Sequence, residues 1–375
     1  MKTLTQISRI FVGVLFILSG LIKANDAIGF SYKLDEYFIV FHTEWLSVIS
    51  VFLAIFICVI EILLGVALLL GYRMKTTAWS LLLMIIFFTW LTGYSAVTGK
   101  VTDCGCFGDA IKLTPKQSFY KDLVLLFFIA VLFIRRNHIL PLLGRKTGNF
   151  AMILSTILVT GFSLYCYWHL PVVDFRPYAR GNNIIKGMEL PPNARPDKFK
   201  TALYYEKNGV VKEFTLENYP WQDSTWVYKD TKTTLIEEGD HAKIHDFLLR
   251  DSDGDDHTRE VLSNPDYNFL LVCYDINKTN KKRMNDINAF AAQAEKNGIK
   301  FLGLSGSTQQ TTDEFRHEFN TMFDFYFCDA TPLKTMIRSN PGLVLMKNGT
   351  VVDMWHYNDF PGFATVDSKY HLIKK

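Results

Sequence analysis

The chain predicts a membrane α-helical bundle of five transmembrane helices, followed by a water-facing half built from a small β module and an α/β domain. Three observations carry this reading. Of 77 charged side chains in 375 residues, only 22 fall in residues 1–173, about 13% of that stretch, whereas the other 55 make up about 27% of the remaining 202. A soluble domain ordinarily carries about 25%, so the 49% hydrophobic average hides two solvents, lipid in front and water behind. The front half also contains long uncharged runs, and the back half alternates strand-like and helix-like segments. A fully soluble chain and a disordered one are both excluded. The net charge of +3 gives no nucleic-acid footprint, and six irregularly spaced cysteines are no small disulfide framework.

The uncharged runs locate the spans. Residues 10–22 lie between Arg9 and Lys23 and reach membrane length if Arg9 snorkels to the headgroups. Residues 45–72 are interrupted only by Glu61, and residues 76–99 and 147–173 carry no charge. Residues 123–134 are short alone, and suffice if the helix starts near Ser118 with Lys121 and Asp122 at the interface. The expected helices are 5–23, 46–71, 77–98, 117–134 and 149–169. The first is expected to be retained, because no small-x-small cleavage site follows it.

Basic residues set the orientation. Arg73 and Lys75 lie in one short loop, and Arg135, Arg136, Arg145 and Lys146 in another, with no acid in either. The loops on the opposite side mix signs. The N-terminus is therefore expected inside and everything after residue 170 outside, giving regions 1–170, 171–240 and 241–375.

In the middle region, residues 201–205, 210–215 and 225–228 have the β-branched and aromatic content of short strands, with Asn208-Gly209 as a hairpin turn. Further on, residues 244–249, 269–274, 300–304, 342–346 and 351–355 read as strands, and 278–296, 312–319 and 332–337 as helices. Asp251-Ser252-Asp253-Gly254-Asp255 lacks the spacing and distal Glu of a calcium loop and reads as a surface turn. This pattern, with Asn340-Pro341 before the Lys347-Asn348-Gly349 hairpin, resembles a thioredoxin fold of the TlpA/peroxiredoxin type. The resemblance implies a cis bond at Pro341 and a client-binding role beside it for Asn340 and Pro341. The sequence departs from the family where its Cys-x-x-Cys would stand, at Asp275-Ile276-Asn277-Lys278. Cys273 and Cys328 read as core thiols, so this domain is expected to bind rather than to exchange disulfides.

The sharpest local signal is Asp103-Cys104-Gly105-Cys106-Phe107-Gly108-Asp109, in an outer loop. Two cysteines one residue apart can close a small strained ring, and strained disulfides are the labile ones. Asp103 and Asp109 disfavour a thiolate, while Lys100 and Lys112 favour it. No histidine completes a zinc site, so no metal is expected. A redox pair and a structural staple both fit these residues. Glu61, inside a span, is by default a functional group, or else it hydrogen-bonds Ser19, Thr89 or Tyr94. Lys23 and Asp26 are expected to anchor the interface or pair with each other, and Cys58 and Cys166 to fill apolar space. Lys33, Asp35, Glu36 and Tyr37 read as an amphipathic stretch on the outer membrane surface.

Phe16 to Lys23, Lys33-Leu34-Asp35-Glu36-Tyr37-Phe38, Glu61-Ile62-Leu63-Leu64-Gly65 and Cys104-Gly105-Cys106-Phe107-Gly108 occur in an order that resembles the MauE/DoxX membrane family over residues 5–140. MauE-type proteins are associated with maturing disulfide-rich exported subunits, in a four-helix arrangement like that of DsbB and vitamin K epoxide reductase. The resemblance implies a thiol–disulfide oxidoreductase role in a bacterial inner membrane, with Cys104 and Cys106 as the redox pair. Glu61, Lys23, Asp103 and Asp109 would be supporting residues, quinone the candidate cofactor, and an exported protein the client. The alternative is a non-enzymatic scaffold whose cysteine pair staples a loop.

Overall fold

The computed structural model describes residues 2–101, 103, 105–237 and 239–373. Among these, five helical segments are long and apolar enough to cross a membrane. They are α1 (Lys2–Asn25), α3 (Ser50–Leu70, led in by a 3-10 turn over Glu44–Ile49), α4 (Met74–Thr98), α5 (Pro115–Arg135) and α6 (Arg145–Trp168). A shorter helix, α2 (Ala27–Val40), follows α1.

Small residues set the tightest crossing. A Cβ added at Gly65 would lie 2.7 Å from the Gly13 carbonyl oxygen, and one at Gly20 would lie 2.5 Å from Ile62 Cγ1. The α1 and α3 backbones therefore touch, as small residues allow inside a bilayer. Arg9 does not snorkel outward. Its Nε and Nη2 donate to the Leu68 and Leu69 carbonyls at 2.9 and 2.7 Å, in the last turn of α3, where carbonyls lack an i+4 N–H partner and the helix dipole favours a cation. Asp122 also departs from its expected interfacial place. It is buried, accepts from Thr92 Oγ1 at 3.0 Å and pairs with Lys121 at 2.7 Å. The start of α5 is set by Thr114 and Gln117 in a reciprocal capping box, with Pro115 in the first turn.

The water-facing half opens with α7 (Ile184–Met188), then β1 (Lys198–Lys207), β2 (Val210–Thr215) and β3 (Val227–Glu237) in an antiparallel sheet of order β2-β1-β3. Asn208 and Gly209 both take positive φ, and Lys207 pairs with Val210, as a two-residue hairpin requires. The third strand runs well beyond the expected 225–228.

Next come α8 (Thr258–Leu262), β4 (Tyr267–Cys273), α9 (Met284–Lys296), β5 (Lys300–Ser305), α10 (Gln309–Phe319), β6 (Phe325–Phe327) and α11 (Ala330–Met336). The chain closes with β7 (Gly342–Lys347), β8 (Thr350–His356) and α12 (Phe363–Tyr370). The strands form one sheet, β6-β5-β4-β7-β8, parallel from β4 to β6 and antiparallel through β7 and β8. Successive side chains of β4 alternate between its faces. Leu270 and Val272 pack with Tyr178, Ile184, Leu333 and Met336, and Phe269, Leu271 and Cys273 pack with Ile287, Phe290, Phe315 and Phe363. The Asn340-Pro341 bond is cis. Strand order, crossover helices and this proline make a thioredoxin-like fold.

Two expectations are corrected here. Residues 244–249 form no strand: Ile244, Phe247 and Leu249 are buried as irregular chain, and pairing is confined to bridges from Arg250 to Asp256 and Phe327. Their apolar content serves packing rather than a ladder. The start of the middle region also belongs to the α/β core, because Gly181 and Ile184 N–H groups donate to the Val351 and Gly349 carbonyls at 2.8 and 2.7 Å.

His356, at the end of β8, is 2% exposed, and burial pushes its imidazole down to about 4, against the opposing pull of Asp359. A folded value below the unfolded one of about 6.5 means the neutral ring favours the fold. That contribution is present above about pH 6.5 and is lost as pH falls toward 4. Chemical denaturation between about pH 7 and 4.5 should show a stability loss on the order of 2 kcal/mol that His356→Asn reduces. An unchanged acid dependence in the variant would assign the loss elsewhere.

Candidate functional site

The loop between α4 and α5 carries the cysteine pair. Cys104 lies outside the described residues. Gly105 and Gly108 take φ of 66° and 51°, and a Cβ on Gly105 would sit 2.9 Å from Lys33 Cγ, so the loop packs tightly on α2. Asp103 Oδ1 accepts from Gly105 N at 3.1 Å and closes the turn. The Cys106 carbonyl accepts from Ser19 Oγ at 3.0 Å. Ser19 lies one turn before Lys23, on the same face of α1.

Lys23 forms an ion pair with Glu61, and their side chains are 4% and 7% exposed. The α1–α3 crossing brings them together. Glu61 is thus not partnered by Ser19, Thr89 or Tyr94, and Lys23 does not pair with Asp26. The phenyl rings of Phe30 and Phe88 lie 5.3 and 5.7 Å from the Lys23 ammonium. Beside the pair opens a cavity of about 370 Å3, mostly apolar, with Lys23, Glu61, Asp122 and Cys106 in its wall.

Asp26 serves the other half of the protein. It caps α2, accepting from Gly29 N at 2.8 Å, and takes Nε of Arg338 at 2.9 Å. Arg338 Nη2 reaches Asp109 at 2.9 Å, and Nη1 donates to the Lys334 carbonyl. Burial alone would lower the Arg338 pKa, and the two carboxylates outweigh it and raise it. The guanidinium lies 5.5 Å from the Tyr32 ring, and Tyr32 Oη donates to Tyr274 Oη at 3.3 Å. On the far side, Asn358 Nδ2 donates to the Trp168 carbonyl at 2.8 Å and His169 meets Asp359 at 2.8 Å.

The α/β domain therefore docks through one end of its sheet: the chain after β4, the segment before β7 and the turn after β8. Asn340 and Pro341 are buried at this end. Asn340 accepts from Thr279 Oγ1 at 3.1 Å and donates to the Asp275 carbonyl at 2.7 Å. Cys273 and Cys328 are fully buried, and burial pushes both thiols up to about 12. Cys58 and Cys166 are buried within the bundle. Among the described residues, no three His, Cys, Asp or Glu side chains converge to hold a metal ion.

A membrane bundle bearing a two-cysteine loop, with a thioredoxin-like domain docked on it, is the class of protein these features define. Residues 1–135 match the family model for methylamine utilisation protein MauE, so the N-terminal region is a MauE domain. Residues 199–238 match a domain of unknown function, DUF8463, which coincides with the β1–β3 sheet. Protein TlpB of Flavobacterium psychrophilum is 27% identical over 160 residues, 42% of each chain, so the match spans about two fifths of that relative's length. The chain is a bacterial membrane protein. Two solved structures overlap 34% of it: a candidate protein disulfide isomerase of Bacteroides thetaiotaomicron (14% identity, 85% of that chain, TM-score 0.28) and a mutant of Xylella fastidiosa PrxQ (16%, 87%, 0.25).

Arg338, Tyr32 and Tyr274 carry the docking and gave no signal in sequence, since one arginine in a charged domain stands out in nothing. Arg338→Met would leave Asp26 and Asp109 without their cation, a loss of about 3–5 kcal/mol for a broken buried pair. Amide exchange should then quicken over Ala27–Val40 and residues 105–110 and stay unchanged over Lys198–Lys207. Equal exchange in wild type and variant would show that this cation does not hold the domain.

Proposed function

We propose that the chain is an inner-membrane thiol–disulfide protein in which Cys104 and Cys106 accept electrons from exported clients and pass them to a quinone. A client dithiol reduces the loop disulfide and becomes a disulfide itself. The loop dithiol then reduces quinone to quinol, giving up two electrons and two protons and closing its S–S bond again.

The setting of Cys106 supports this reading most. Its carbonyl is tied to α1 above the Lys23–Glu61 cavity, and Asp109, three residues on, is tied to the thioredoxin-like domain. The loop thus lies between a lipid-side cavity and a domain of redox ancestry. The basic loops at Arg73 and Lys75 and at Arg135 to Lys146 favour a cytoplasmic N-terminus, which puts loop and domain together in the periplasm. There, away from cytosolic reductants, the pair can remain oxidised. With no Cys-x-x-Cys and two inert thiols, the domain contributes binding: it covers the loop and presents the client.

Those inert thiols also favour a second reading, in which the whole protein is a scaffold and the pair a staple. Cys104→Ser separates the two. In the redox reading, disulfide formation in exported proteins falls to the level of cells lacking the chain, while its abundance holds. In the staple reading, abundance falls first.

A further inference from the structure

The cavity beside Lys23 and Glu61 belongs to the same site, and its shape and charge specify what it takes. Eight aromatic residues line it, among them Phe16, Phe30, Phe41, Phe87, Phe88 and Trp90. Phe87 and Trp90 are also 52% and 55% exposed on the outside of α4, so the cavity reaches the surface that faces lipid. The opening follows from the packing. α1 is clamped to α3 and α4 to α5, while α3 and α4 contact each other sparsely. At about 370 Å3 the space lies within the range of small-molecule pockets.

The cations at the polar end are all paired. Each of the three lysines in the wall has a carboxylate partner: Lys23 with Glu61, Lys33 with Glu36, and Lys121 with Asp122. A phosphate headgroup would require a net positive pocket, because a buried charge must be matched. A neutral ring with carbonyl acceptors requires donors only, and flat aromatic walls suit a flat ring.

We infer that this cavity is the seat of an isoprenoid quinone, admitted from the lipid between α3 and α4, with its head carbonyl on the Lys23 ammonium and Glu61 holding that ammonium in place. The inference rests on the thiol–disulfide reading and deepens it. As the ring takes two electrons from the loop dithiol, negative charge builds on the carbonyl oxygens. Lys23 donates its hydrogen bond where that charge develops. The two thiol protons end on the two quinol oxygens, so the S–H bonds broken match the O–H bonds made.

The test uses the full chain in nanodiscs, carrying Cys104→Ser so that binding is read apart from turnover. The probe is a photoreactive short-chain naphthoquinone, mapped by mass spectrometry. Label is expected on Ser50–Leu70 and Met74–Thr98, displaced by decylquinone and not by phosphatidylglycerol. Lys23→Gln combined with Glu61→Gln removes the pair without changing net charge and should weaken labelling about tenfold, the cost of one charge-assisted hydrogen bond. Ile57→Trp, which adds bulk to the cavity wall on α3, should do the same while leaving both charges of the pair in place. Label confined to residues outside the cavity wall, displacement by phosphatidylglycerol, or labelling unchanged in both variants overturns the inference. The thiol function stands or falls separately, on client oxidation in the Cys104→Ser cells.

Discussion

The guanidinium of Arg338 holds the two halves of this protein in one arrangement. It is 5% exposed and bonded to two carboxylates that come from different elements, Asp26 at the start of α2 and Asp109 in the cysteine loop. An isolated guanidinium would cost several kcal/mol to bury, so the docked state persists only with both acids in place. One cation therefore positions a helix, a loop and a domain. It lies two residues before the cis-proline segment, which brings the thioredoxin-like sheet down on the membrane domain by the end where β4 finishes and β7 begins.

Inside the bundle the same rule operates in a drier medium. Polar groups in lipid need partners within the protein, and Arg9, Lys23, Glu61 and Asp122 each have one. The glycines on α1 and α3 allow the close approach that pairs Lys23 with Glu61. The corresponding looseness between α3 and α4 leaves the cavity. Tight packing on one side and a gap on the other come from where small side chains and large aromatic ones fall along these helices.

Much of this was legible in the chain. Uncharged runs located all five spans to within a few residues, and Asn-Gly turns marked both hairpins, because these features are local. Partnerships were not legible. Glu61 meets a lysine 38 positions earlier and Asp26 an arginine 312 positions later, and no local pattern encodes such distances. Lys23 and Asp26, near neighbours in sequence, leave in opposite directions for this reason. Strand β6 was hidden in an aromatic run because three residues are too few to show alternation. Residues 244–249 looked like a strand because burial of irregular chain selects the same apolar residues that a ladder does. Only the outer end of α2 was visible, as charges at Lys33, Asp35 and Glu36, since its remaining length packs against the bundle and the docked domain.

The cysteine loop joins these two constraints, tied by Ser19 to the bundle and by Asp109 to Arg338. Its chemistry is read most directly by trapping the redox state of Cys104 and Cys106 in native membranes, before and after depletion of the quinone pool. A pair that passes electrons to quinone is expected to be oxidised in normal membranes and to accumulate as the dithiol once quinone is gone. A pair whose redox state is the same with and without quinone would contradict it.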